Sequence, residues 1–249
     1  MKTLAIIGGT GLTQFDDLDV VQVHHQFDTE LGQPSGDIIE ARLGQRRLLF
    51  LPRHDHPHRL APHLINYRAN LLALNMLGAD EIIAVNAVGG IHPSMPAGHI
   101  SIPQQIIDYT WGRQQTFFDG RYKPLNHIDF TFPYDEALRL KLIKLVASLN
   151  LAKGFSDFSV YGASQGPRLE TSAEIDRLEK DGCDLVGMTG MPEAALAREL
   201  AIPYVSLCLV VNPAAGRSEG LITLDEIQRV LNSGMVEVKR IITAFAALP

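Results

Sequence analysis

The stretch EIIAVNAVGG, Glu81–Gly90, is apolar at nearly every position rather than at alternate ones. That pattern belongs to a strand covered on both faces, as in a sheet with helices packed on each side. Its end places Asn86, Ala87 and two glycines at the carboxyl edge of the sheet, where exposed backbone N–H groups commonly meet a ligand. Similar runs recur along the chain: TLAIIGG (3–9), RRLLFLP (46–52), HISIPQQIIDYT (99–110), DLVGMT (184–189) and IPYVSLCLVVN (202–212). Between them, residues 66–77, 134–149, 171–180, 193–200 and 224–247 carry apolar side chains at three- and four-residue spacing, the signature of amphipathic helices. The expectation is an α/β fold with a central sheet.

The 249 residues suit one domain, 1–249, and 46% hydrophobic residues suffice for a large core. A net charge of −6 leaves no basic footprint for nucleic acid or an anionic membrane, so a small-molecule partner is expected. The start, MKTLAIIGGTGL, is too short in apolar residues for a signal sequence, and no run reaches the roughly 18 apolar residues of a membrane span. A cytoplasmic protein is expected. Cys183 and Cys208 are the only cysteines, too few for a disulfide scaffold or a cysteine zinc site, and both are read as buried small hydrophobes. Residues 111–133 form the longest stretch without periodicity, and so long a loop in a compact domain is usually functional.

Several motifs carry candidate chemistry. Gly8, Gly9, Thr10 and Gly11 follow the first strand, where backbone N–H groups and the Thr10 hydroxyl can turn toward an anion. A dinucleotide fingerprint would need Gly or Ala where Gln14 stands, and the P-loop Lys-Ser/Thr is missing; a tight turn with no ligand is the plainer alternative. The run LPRHDHPHRLAPH (51–63) holds four of the nine histidines. His54, His56 and His58 suggest a metal site, yet Pro57 and Pro62 place them on a loop, and His92, His99 and His127 supply no matching ligand with an Asp at a later strand end. Solvated loop histidines are one alternative. The other is that Arg53 and His54 clamp an oxyanion, each as a donor. In QGPRLETSAEI, Glu170 stands at a helix start and Thr171 with Glu174 has capping-box spacing. In VGMTGMPEAALARE a strand ends at Met188 and Thr189 and a helix begins near Pro192, another natural anion site.

Taken together, IIGGTGL, RHDHPH, NYRAN, NAVGG, QGPRLET, VGMTGMPEAALARE and the Asn after LCLVV resemble the trimeric purine nucleoside phosphorylases, in the methylthioadenosine/methylthioinosine phosphorylase branch. The resemblance runs through most of the chain in order. It implies a single domain with a central mixed, partly barrel-like sheet flanked by helices, and a homotrimer. It also implies reversible phosphorolysis, in which inorganic phosphate attacks C1′ of a purine nucleoside with no metal or other cofactor. Carried over, Thr10, Arg53, His54, the Ala87 backbone and Thr189 hold phosphate, while Met188 and Asn86 lie against the ribose and its phosphate side. Asp55 departs from the family, which commonly has Gly there; a carboxylate would repel phosphate unless turned away.

The resemblance also speaks to substrate. Glu170 and Asn212 match the residues that family members specific for 6-oxopurines present to N1–H and to N7 and O6, where methylthioadenosine enzymes have Ser and Asp. Leu169 takes the place of a stacking aromatic, and Ala214 is expected among the substrate-binding residues. At the 5′ end Leu224 matches the His that meets a 5′-hydroxyl, and His127 matches a residue given by a neighbouring subunit. An oxopurine base site with an apolar 5′ pocket points to S-methyl-5′-thioinosine. The competing readings are an inosine/guanosine phosphorylase, a methylthioadenosine phosphorylase, a metal-dependent hydrolase, and a non-catalytic nucleotide-binding protein.

Overall fold

The computed structural model describes residues 2–12 and 18–248, so Gln14, which breaks the dinucleotide fingerprint, lies outside the described residues. The first four strands are β1 (Leu4–Gly8), β2 (Asp19–His24), β3 (Ile38–Leu43) and β4 (Arg46–Pro52), followed by α1 (Tyr67–Met76) and β5 (Glu81–Gly90). Next come β6 (Ile100–Ser101), β7 (Gln105–Asp108), α2 (Glu136–Ser148), β8 (Phe155–Ser156), β9 (Val160–Ala163) and α3 (Ser172–Lys180). The chain closes with β10 (Leu185–Gly187), α4 (Gly190–Glu199), β11 (Tyr204–Pro213) and α5 (Leu224–Ala246). Residues 111–133 contain neither helix nor strand.

The strands form one mixed sheet in the order β2-β3-β4-β1-β5-β10-β9-β7, with β11 paired to β5 and β6, and β8 to β6. A strand has only two hydrogen-bonding edges, yet β5 has three partners. It manages this by sharing one edge along its length: β1 pairs in parallel with Leu4↔Glu81 through Ile7↔Ala84, and β10 takes Gly89 and Gly90 antiparallel. The other edge belongs to β11, from Tyr204↔Ile82 to Pro213↔Gly90. The fork between β1 and β10 is the feature on which the site is built.

The period-two alternation of the central strands sorts their side chains to two faces. Ala5, Ile7, Leu49, Leu51, Ile82 and Ala84 pack with α1 and α4 residues such as Leu71 and Leu196. Leu4, Ile6, Leu48, Phe50, Ile83 and Val85 pack with Leu138 and Leu142 of α2 and with Leu231, Val238, Ile241, Ile242 and Phe245 of α5. Because both faces are covered, the apolar runs are nearly continuous, as the sequence indicates.

Helix ends follow from side-chain capping. Asn66, Asp135 and Thr223 each accept a backbone N–H three residues on, and Thr171 with Glu174 completes the capping box. Helix α4 begins otherwise: Thr189 makes no cap bond, and Met191 is extended (φ −115, ψ 140) before Pro192. One strand end differs from expectation: β10 stops at Gly187 rather than at Met188 or Thr189, while β5 runs to Gly90 as its apolar run indicates, paired there with β10 and β11. The run 99–110 splits into β6 and β7 around Pro103, which has no N–H to continue a ladder. Strands β2, β3, β8 and β9 lack the apolar runs that marked the others; β2 is mostly exposed and β8 and β9 are short.

The contribution of the α5 face is measurable. Ile241 is fully buried among the side chains of α5, α2 and the sheet, so Ile241→Ala should lower the unfolding free energy by about 2–5 kcal/mol, read from chemical denaturation, with no change in far-UV circular dichroism.

Candidate active site

Where β1 leaves β5 after Ala84 and before β10 joins at Gly89, one edge of β5 has no strand beside it. The Ile82 N–H donates to Pro203 on the β11 side, so the alternation of a strand turns Val85 and Ala87 to the opposite, open edge. A cavity of about 510 Å³ opens there. It gathers Thr10, Arg53, His54, Ala87, Leu169, Glu170, Met188, Thr189, Asn212, Ala214 and Leu224, residues drawn from seven separate stretches of sequence. Of the expected site residues, Asn86 and His127 alone are not in its wall.

At the inner end, Arg53 is fully buried and almost fully committed. Its Nε and Nη2 donate to the two carboxylate oxygens of Glu193, both at 2.7 Å, and Nη1 donates to the Val85 carbonyl at 2.8 Å. Tyr204 donates its hydroxyl to Glu193 at 2.9 Å. Burial works against the Arg53 charge, but the attraction and hydrogen bonds of Glu193 outweigh it and hold the guanidinium well above its ordinary range. A guanidinium has five N–H donors; with three used here, one on each Nη is left for a ligand. Gly9 makes this geometry possible, since a Cβ there would lie 2.6 Å from the Val85 carbonyl oxygen and 2.9 Å from Arg53 Nη1. Glu193 escaped the sequence reading, although a carboxylate inside the apolar run MPEAALA was its visible signal.

His54 corrects the expectation of a second donor. Its Nδ1 lies 2.8 Å from the Leu60 carbonyl, which can only accept, so Nδ1 carries the proton. Burial pushes its pKa down to about 3 against the opposing pull of that carbonyl, leaving Nε2 unprotonated at neutral pH and able only to accept. The His58 ring stacks on it at 4.2 Å. Asp55 adopts a left-handed conformation (φ 68), binds Arg59 Nε at 2.9 Å and is absent from the cavity wall, so its carboxylate is turned away from the anion site.

Thr189 is set by a relay behind the wall. Ser206 donates its hydroxyl to Asn86 Oδ1 at 2.8 Å, and Asn86 Nδ2 donates to Thr189 Oγ1 at 2.9 Å. With that oxygen already accepting, the Thr189 hydroxyl proton is free to be donated elsewhere. Asn86, only 1% exposed, thus acts through Thr189 rather than on a ligand directly. The expected anion site at the start of α4 is also corrected: the Thr189 and Gly190 N–H groups point to the Tyr161 hydroxyl, at 3.4 and 3.3 Å.

At the outer end, Ser164 donates its hydroxyl to Glu170 Oε1 at 2.5 Å, fixing one carboxylate oxygen and leaving Oε2 for a ligand. Opposite, the β11–β5 register shifts between Val210 and Asn212; such a bulge re-aims a side chain, and here Asn212 enters the cavity wall while Nδ2 donates to the Pro213 carbonyl at 2.6 Å. The mouth is apolar, formed by Ile222, Leu224 and Ile227, with Leu224 80% exposed. His127 is exposed on the irregular segment. Among the described residues no group of three or more His, Cys, Asp or Glu side chains could hold a metal ion, and no helix is long and apolar enough to cross a membrane. Cys183 and Cys208 are buried, as expected.

The cavity therefore has hydrogen-bond donors at its inner end and a carboxylate and an amide, Glu170 and Asn212, at its outer end, on one mixed sheet. Residues 3–247 match the family model of the phosphorylase superfamily, and the chain belongs to that family as a pentosyltransferase of the purine nucleoside phosphorylase type. It is 56% identical over 239 residues to a probable S-methyl-5′-thioinosine phosphorylase of Pseudomonas syringae, covering 96% of each chain. It is 38% identical over 256 residues to the 6-oxopurine nucleoside phosphorylase of Pyrococcus furiosus, covering all of this chain and 93% of that one. The solved structure of methylthioadenosine phosphorylase from Schistosoma mansoni with adenine superposes with a TM-score of 0.93 at 29% identity, over 99% of this chain and 91% of the other.

The His54 geometry sets a pH dependence. Its folded-state pKa of about 3 lies below the ordinary 6.5, so protons favour the unfolded chain and stability falls as pH drops below about 6.5. Over pH 6 to 4 the slope contributed by this one group approaches about 1.4 kcal/mol per pH unit. His54→Asn, whose amide can replace the Nδ1 donor, should flatten the dependence by that amount in denaturant titrations at stepped pH.

Proposed function

We propose that this protein phosphorolyses S-methyl-5′-thioinosine to hypoxanthine and 5-methylthioribose 1-phosphate. The observation that carries the reading is the pairing of Glu170 and Asn212 in the same cavity wall with an apolar mouth at Ile222, Leu224 and Ile227. A 6-oxopurine offers N1–H to the free Glu170 oxygen, while the Asn212 amide can donate to N7 and serve O6. Phosphate binds between Thr10, the two remaining Arg53 donors, the Ala87 N–H and the Thr189 hydroxyl. Since His54 Nε2 can only accept, phosphate bound there brings the proton of that hydrogen bond. Phosphate then attacks C1′ as the glycosidic bond lengthens; positive charge gathers on the sugar beside the anion, and negative charge on the departing purine is met by Asn212. No protein nucleophile, metal or other cofactor takes part. Leu169 and Met188 enclose base and ribose.

A second reading, a general inosine/guanosine phosphorylase, is favoured by the name of the Pyrococcus relative. Position 224 separates the two, because an apolar side chain facing the sugar's 5′ end leaves a 5′-hydroxyl unpaired but suits a methylthio group. Parallel assays of methylthioinosine, inosine, guanosine and methylthioadenosine, each with and without phosphate and with a chelator, test the proposal. Methylthioinosine should have the highest kcat/KM, with turnover dependent on phosphate and indifferent to the chelator. Leu224→His should move the methylthioinosine/inosine ratio toward inosine by about 1–3 kcal/mol of transition-state discrimination.

The base assignment has its own test. Asn212→Asp should lose oxopurine activity without gaining much adenine activity, since the Glu170 carboxylate would still face the bare N1 acceptor of adenine, a contact costing about 1–3 kcal/mol. Glu170→Ser combined with Asn212→Asp should move preference toward methylthioadenosine, non-additively because both residues touch one ring. A switch by Asn212→Asp alone would remove Glu170 from N1.

The working unit is proposed to be a homotrimer with active sites at subunit contacts. Its support is the 80% exposure of Leu224 at the mouth, together with exposed Trp111, Leu125 and Phe132 on the irregular segment that carries His127. In the trimer His127 would reach a neighbour's 5′ pocket. Sedimentation at micromolar concentration should give a trimer; a fully active monomer would overturn it.

A further inference from the structure

Arg113, on the irregular segment 111–133, is spent on backbone carbonyls. Its Nη1 donates to the Met188 carbonyl at 2.8 Å and the Met191 carbonyl at 2.7 Å, with the Tyr67 hydroxyl at 3.3 Å. Its Nη2 donates to the Gln165 carbonyl at 2.8 Å and the Ser164 carbonyl at 3.5 Å. The guanidinium carbon lies 5.6 Å from the centre of the Tyr67 ring, and Nε is buried with no hydrogen-bond partner among the described residues. The four carbonyls belong to two segments, Met188 and Met191 around the start of α4 and Ser164 and Gln165 between β9 and α3. Met188 and Thr189 lie on one; Ser164, Gln165 and Glu170 lie on the other, where Ser164 holds the Glu170 carboxylate. Between the loops the packing is close, since a Cβ on Gly166 would come within 2.5 Å of Met188 Sδ.

We infer that Arg113 is a positioning residue for the nucleoside: its guanidinium fork fixes the spacing between the loop that meets the base, through Glu170, and the loop that meets the ribose, through Met188. This deepens the phosphorylase reading and rests on it. A planar fork is suited to the task because its two Nη groups point to two loops at once, whereas an ammonium is a single point donor. The phosphate end has anchors of its own: Arg53 is fixed by Glu193 and Val85, and Thr189, although it follows Met188 on the loop that Arg113 binds, has its hydroxyl held from behind by Asn86. Loosening the Arg113 fork therefore has a particular signature. Nucleoside binding should weaken far more than phosphate binding, because the separation of Glu170 from Met188 changes while Arg53 and the Asn86-held Thr189 hydroxyl keep their own anchors.

The test uses the full-length enzyme and whichever nucleoside the wild type turns over with phosphate; a wild type that turns over none of the four overturns the phosphorylase reading itself, separately from this inference. Arg113→Lys keeps the charge but not the fork, and Arg113→Met removes both. Gly166→Ala pushes the same two loops apart without touching Arg113, and its backbone φ of +65 adds strain. Each should raise KM for the nucleoside by about tenfold or more and leave KM for phosphate within about twofold. Thermal unfolding measured alongside identifies a general loss of folding. Lys restoring wild-type nucleoside KM would show that charge and not the fork matters. A parallel rise in both KM values, with a lowered Tm, would show a merely structural role. Either result overturns the inference.

Discussion

The bidentate pair between Arg53 and Glu193 is the contact on which the site depends. Both side chains are fully buried, and removing one partner from such a pair leaves an uncompensated charge worth about 3–5 kcal/mol of destabilisation. The pair ties the end of β4 to the first turns of α4, 140 residues away in sequence. It also requires the neighbours that surround it: Gly9 with no side chain, a free edge of β5 to present the Val85 carbonyl, and Tyr204 on β11 to complete the Glu193 shell. The branching of the sheet at β5 is the architecture that leaves room for them.

An electrostatic consequence follows. Because Glu193 balances Arg53 and His54 is neutral, these residues give the inner end of the cavity no excess positive charge; for the proposed phosphate site, selectivity would come from aimed donors. The Thr189 hydroxyl, oriented through Ser206 and Asn86, and the Ala87 N–H, oriented by strand alternation, are fixed before any ligand arrives. In the proposed reaction such preorganised donors in a desolvated wall would need no reorganisation as charge shifts. Asp55, which looked unfavourable beside an anion, is accommodated by turning to Arg59.

The two ends of the cavity are built by different means. The inner end hangs on a buried ion pair and on strand edges, while the outer end draws on the loops 164–170 and 214–223 together with Asn212 at the end of β11 and the first turn of α5. Loops are the usual seat of specificity on a constant scaffold, which fits relatives whose names divide between methylthioinosine, methylthioadenosine and general 6-oxopurine substrates.

By itself the sequence determined the α/β class, the five helices with the capping box at Thr171 and Glu174, and the runs that became β1, β4, β5, β10 and β11. These are legible because burial on both faces of a strand and helical periodicity are local patterns. It also determined most of the cavity wall, through motifs whose order along the chain survives folding. Tertiary structure alone decided the rest. The edge strand β2 and its neighbour β3 carry little apolar signal because they are held by pairing, and the partners that β5 takes at Gly89 and Gly90, β10 and β11, come from 95 or more residues further on. The protonated nitrogen of His54 is set by Leu60, the donor direction of Thr189 by Asn86 and Ser206, and the meaning of a carboxylate at Glu193 by an arginine 140 residues earlier. Hydrogen-bond direction and charge compensation depend on which groups meet in space, and no spacing along one chain records that.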